Sequence, residues 1–137
     1  MKKITIIMLL LMSTNVMAAW TKLESEHTPA VTVYVDIGKI RHVGVNNVRM
    51  QHLMNFKNEV KNSSGPAYLS SKELVEYNCN EEHYRVIASS LYVRRMGQGK
   101  VVSFSSDVKQ WQPVEFNTLE ESLWKVACGK PSISQHD

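Results

Sequence analysis

Apolar and polar residues alternate with a period of two along most of this chain, and that constrains its fold more than any other feature. Val31, Val33 and Val35 alternate with Thr32, Tyr34 and Asp36, and Val48, Met50, His52, Met54 and Phe56 alternate with Arg49, Gln51, Leu53 and Asn55. Successive side chains of a strand point to opposite faces, so the pattern builds strands with distinct sides. The stretch 68–79 continues it, with Val75, Tyr77 and Cys79 on one side and Leu74, Glu76 and Asn78 on the other. After a turn at Asn80-Glu81-Glu82, His83 to Arg95 reads as the next strand, with Tyr84, Val86, Ala88 and Tyr92 opposite Ile87, Leu91 and Val93. Gly97-Gln98-Gly99 predicts a hairpin, because glycines supply the positive φ such turns need. Lys100 to Ser105 then returns as a strand. Shorter extended pieces are expected at 19–23 and 40–42, with turns at His27-Thr28-Pro29 and Asp36-Ile37-Gly38. Lys57 to Pro66 is polar and ends Asn62-Ser63-Ser64-Gly65-Pro66, which is loop composition.

One helix interrupts the alternation. Thr118 followed three residues later by Glu121 matches a capping box, and Glu120 and Glu121 suit the positive end of the helix dipole. Leu119, Leu123 and Val126 or Ala127 form an apolar stripe with Trp124 beside it, and Gly129 and Pro131 end the helix. The expected architecture is α+β, mostly β: an antiparallel meander of about six strands with one C-terminal helix packed on one face. Trp111, Leu123 and Trp124 are assigned to its core, with Tyr84 and Tyr92. The outward side carries Tyr34, Leu53, Leu74, Ile87, Leu91 and Val93, which a single helix cannot cover. Either the register differs or that face binds something, a second copy of the chain included.

Residues 1–18 are expected to be a cleaved secretory signal. Lys2 and Lys3 precede the apolar run Ile4 to Met12, and small residues at 16 and 18 mark a cleavage site before Ala19. The run is shorter than the roughly 20 residues a membrane span needs. A single domain, 19–137, remains. The whole chain has 16 basic and 13 acidic residues. Loss of the two signal lysines leaves the domain almost neutral and removes the case for a nucleic-acid partner. No cysteine follows the cleavage position to accept a lipid anchor. Cys79 and Cys128 are the only cysteines. In an oxidising compartment an even pair reads as a disulfide. Zinc would need about four ligands, with close cysteine pairs that are absent here. The histidines at 27, 42, 52, 83 and 136 form no thiol–base pattern with either cysteine.

No Gly-rich phosphate loop, H-E-x-x-H or G-x-S-x-G motif is present, so the chain is expected not to be an enzyme and to need no cofactor or metal. Asp36 reads as a turn residue bonding through its own side chain, and Glu81-Glu82-His83 as a polar hairpin turn. Arg94, Arg95 and Lys100 make a basic tip. Asn62-Ser63-Ser64 fits a glycan acceptor.

Several short elements, taken in order, carry a family resemblance. They are Trp20, Val33-Tyr34-Val35-Asp36 leading to Ile40-Arg41, the Val48–Phe56 strand, Tyr68, Ser70-Ser71, Tyr77-Asn78-Cys79 and Tyr92. Gly97-Gln98-Gly99, Trp111-Gln112-Pro113-Val114 and Leu123-Trp124 before Cys128 complete them. Together they resemble the surface-adhesin protein E family of bacterial envelope proteins. The resemblance implies a six-stranded sheet with a C-terminal helix, a Cys79–Cys128 bond and self-association. It also implies adhesion to a host matrix or serum protein; the alternative is a periplasmic structural or accessory protein whose partner is another envelope component, and the expected signal segment makes the location periplasmic or secreted. The family's central binding region maps to Lys72 through Arg85, where Glu73, Glu76, Glu81 and Glu82 outnumber Lys72 and Arg85. Lys72, His83, Arg85, Arg94 and Arg95 are the candidate ligand contacts.

Overall fold

The computed structural model describes residues 19–24 and 29–130. The expected signal segment 1–18, residues 27 and 28 of the expected turn and Pro131 of the expected helix stop lie outside them. Among the described residues eight strands form one antiparallel sheet: β1 Thr21–Leu23, β2 Val31–Val35, β3 Arg41–Val43, β4 Asn47–Asn62, β5 Gly65–Asn78, β6 His83–Tyr92, β7 Val101–Ser105 and β8 Gln112–Pro113. Its order is β1-β2-β4-β5-β6-β7, while β3 pairs with β4 beyond the end of β2 and β8 pairs with β6 beyond the end of β7. Consecutive elements lie side by side, which is the expected meander. The helix α1 is Leu119–Ala127.

The register sets two faces. Val33, Val35, Val48, Met50, Val75 and Tyr77 point to one of them, and Leu123, Trp124 and Ala127 of α1 close over these residues as the apolar core. Trp124 adds a hydrogen bond from Nε1 to the carbonyl of Asn78, 2.9 Å away. The helix starts where its sequence says: Thr118 Oγ1 accepts from the Glu121 amide. The reciprocal half of the capping box is absent, because Lys125 Nζ takes the Glu121 carboxylate at 3.3 Å. At the other end Gly129 has a φ of 66°, its amide bonds the Val126 carbonyl, and the Lys130 amide bonds that of Lys125, which is a Schellman stop. The Cys79–Cys128 disulfide then ties the helix to the end of β5.

Four expectations are corrected. The polar stretch 57–66 is no loop: β4 and β5 continue through it as a two-stranded ribbon closed by Ser63-Ser64. Its polarity suits its exposure: residues 57–59, 61 and 63–66 all face water. The second correction concerns β6. Leu74 pairs with Ala88 but Val75 pairs with Val86, so Ile87 is an inserted residue. Such a bulge reverses the alternation. Tyr84 and Val86 join the helix side, whereas Ala88, Ser90 and Tyr92 fall on the other, and Leu91 crosses to the helix side opposite Ser71. Third, Trp111 is not core. It stands 38% exposed on the connector after β7, held by the Arg85 guanidinium 4.5 Å from its ring centroid. Fourth, Asp36 precedes a 3-10 turn at Ile37–Lys39 as a turn residue should, but makes no side-chain cap bond. It is buried with Lys39 Nζ 3.8 Å from Oδ2.

Candidate binding face opposite the helix

All five candidate contacts belong to the helix-free side of the sheet or its rim. Lys72 pairs across to Ser90, Glu76 to Arg85 and Asn78 to His83, so Lys72, Arg85 and His83 share that face. Arg94 and Arg95 open the turn after β6, which folds back against β4 and β5. This turn is anchored closely. The Met96 amide donates to Asn55 Oδ1 at 2.8 Å, the Gly97 amide donates to Ser70 Oγ at 2.9 Å, and Arg95 Nη2 donates to the Lys57 carbonyl at 2.9 Å. Ser70 Oγ in turn donates to the Arg94 carbonyl.

The five differ in what holds them. Lys72 Nζ lies 5.9 Å from the centre of the Trp20 ring and 5.2 Å from that of Tyr92, within cation–π range. Its stem runs against Gly97, where a Cβ would collide with it. Gly97 also has a φ of 63°, a conformation that side chains other than glycine's resist. Gly97→Ala is therefore expected to cost about 1–2 kcal/mol and to shift Lys72 off Tyr92. Thermal unfolding together with the Tyr92 ring resonances would check this, and unchanged values for both would refute it. His83 Nδ1 sits 3.8 Å from Glu81 Oε2 at the turn. Arg85 is committed inward: Nε and Nη2 bond Glu76 Oε2 at 2.8 and 2.6 Å, while Arg49 Nε bonds Oε1 at 3.0 Å. Glu76 is 1% exposed. Its burial is sustained by two guanidinium groups, which satisfy both oxygens.

On the helix side the strands bury a polar set that the alternation placed there without marking its chemistry. His52 pairs across to Glu73, with Nε2 3.6 Å from Oε2. His52 Nδ1 and Ser71 Oγ have no hydrogen-bond partner among the described residues. Burial holds the His52 imidazole down at about 4, and burial, with Glu120 nearby, pushes the Glu73 carboxyl up. An unfolded histidine takes its proton near pH 6.5, whereas the folded one does not until about pH 4. The His52 contribution is therefore present above pH 6.5 and is lost as pH falls to about 4. Glu73 works the other way, since its raised value favours the fold at low pH and that benefit fades as pH rises. The stability difference between wild type and His52→Gln is expected to shrink as pH falls through this window. A pH-independent difference in urea midpoint would refute the assignment.

Among the described residues, no group of three or more His, Cys, Asp or Glu side chains is placed to hold a metal ion. No described helix is long and apolar enough to cross a membrane.

Comparison with known proteins gives a consistent result. The surface-adhesin protein E family matches residues 20–129. A solved structure of Haemophilus influenzae protein E superimposes with a TM-score of 0.62 at 15% identity, covering 85% of this chain and 88% of that one. A second crystal form of the same protein gives 0.59 at 16% identity over 71% and 80%. Protein E from non-typeable Haemophilus influenzae gives 0.57 at 16% over 85% and 79%. At these identities the likeness to the solved structures is one of fold. No curated protein matches the sequence.

Proposed function

Since the chain belongs to the surface-adhesin protein E family, we propose that it is a non-enzymatic, exported binding protein whose partner is a protein. In this reading residues 1–18 are a signal peptide and 19–137 the working domain, free in the periplasm or secreted. The partner is a host matrix or serum protein, with another envelope component as the alternative. The observation that carries the reading is the asymmetry of the sheet. Among the described residues one short helix covers one face, and the other face presents Lys72, His83 and the Arg94–Arg95 turn. The test is binding of the purified, disulfide-bonded protein to immobilised matrix and serum proteins, alongside protease treatment of intact cells. Saturable binding and proteolysis on intact cells support adhesion to a host. Protection on intact cells with release by osmotic shock supports an envelope partner.

A specific observation also favours self-association. Val101, Phe104, Val108, Trp111 and Phe116, all substantially exposed, lie on the single segment that edges the sheet beyond β6. Light scattering at tens of micromolar, a concentration set by common interface affinities, is expected to report a dimer; a strict monomer argues against it.

A further inference from the structure

The helix-free face also holds a groove of about 400 Å³, toward the lower end of the roughly 300–1,000 Å³ usual for small-molecule sites. Leu74, Ala88, Tyr92, Val101 and Phe104 wall it, and Lys72 lines it. Phe104 is 69% exposed and Val101 49%, so the walls present apolar surface to water. Among the described residues no carboxylate pairs with Lys72. Glu76, two positions beyond Leu74 on the same face, is closed off by Arg49 and Arg85. The rings of Trp20 and Tyr92 hold the ammonium by their faces, which leaves its N–H donors to seek an oxygen.

We propose that this groove binds a single-chain amphiphilic carboxylate, with the carboxylate on Lys72 Nζ and the acyl chain across Leu74, Ala88 and Phe104. The inference goes beyond protein binding and does not depend on it. Charge complementarity selects the head group, because the one ammonium that lines the groove has no counter-charge among the described residues. The register selects the tail. Lys72, Ser90 and Phe104 form one row across β5, β6 and β7, and two strand spacings measure about 10 Å. A medium-length acyl chain lying across the strands covers that distance and removes the exposed apolar walls from water.

Decanoate, decanol and decyltrimethylammonium, titrated into the purified disulfide-bonded protein by calorimetry, test this. Decanoate is expected to bind saturably, and the alcohol and the cation at least about tenfold more weakly, the usual worth of a charged hydrogen bond. Lys72→Met is expected to abolish the preference for decanoate, Lys72→Arg to keep it, and Phe104→Ser to weaken decanoate and decanol alike. Equal binding of decanoate and decanol by the wild type overturns the proposal without reliance on any variant. So does a preference that survives Lys72→Met, or the lack of saturable binding.

Discussion

Replacing Cys79 and Cys128 together with serine is expected to lower stability by about 4 kcal/mol, the largest effect of any change considered. The bond joins residues 49 apart, and in the chain-entropy model closing a loop of that length stabilises by about 4 kcal/mol. Small domains have about 5–15 kcal/mol in total. The loss should fall first on α1. A helix of nine residues is marginal by itself in water, and this one is kept in place by burial of Leu123, Trp124 and Ala127, by the Trp124–Asn78 bond and by the disulfide. The double variant should show a lower urea midpoint, weaker helical ellipticity and a red-shifted Trp124 emission. A midpoint equal to that of the wild type would show that the disulfide does not constrain the fold.

Glu76→Ala is expected to cost about 2–3 kcal/mol. Removing one partner of a fully buried ion pair costs about 3–5 kcal/mol, because a charge is left without compensation. Here the orphaned charges are Arg49 and Arg85, whose side chains are 39% and 30% exposed; water can rehydrate them in part, so the lower figure applies. Glu76→Gln keeps the shape but sets an NH2 donor against one of the two guanidinium groups, so it should not restore the lost stability. The substitution to alanine should also release Trp111, which rests on the guanidinium that Glu76 positions. Urea unfolding and the near-ultraviolet circular dichroism of Trp111 measure the two effects. Wild-type values for both would mean that the carboxylate does not organise this end of the face.

How far the sequence led depended on whether a signal was local. The meander, the helix with its cap and stop, and the disulfide were all legible. Periodicity, a threonine three residues before a glutamate, and a cysteine count each report on their immediate surroundings. The ribbon formed by 57–66 was not legible, because its strands are stabilised by pairing with each other rather than by burial of one face. Trp111 was misplaced because composition alone does not separate an aromatic ring that fills a core from one that shields a guanidinium. On the candidate face, alternation put Leu74, Glu76 and Asn78 on one side of β5 correctly. It could not tell that Glu76 is sealed by two arginines while Lys72 lies between two rings, since those partners come from β4, β6 and the residue before β1. His52 was visible as a histidine in an apolar row, and only its pairing with Glu73 gives it meaning.

The extra residue at Ile87 has a consequence for how this domain tolerates change. It is a unit of length rather than of chemistry: a strand read two residues at a time is shifted by one count, and everything from Ala88 to Tyr92 is turned over. Many side chains at Ile87 would preserve that shift, whereas excising the position would return the following residues to the opposite phase. Tyr92 would then leave Lys72, and Leu91 would take its place on the open face. For this stretch the number of residues between Val86 and Ala88 matters more than their identity, so a single-codon deletion is a harsher edit than an exchange of one side chain for another there.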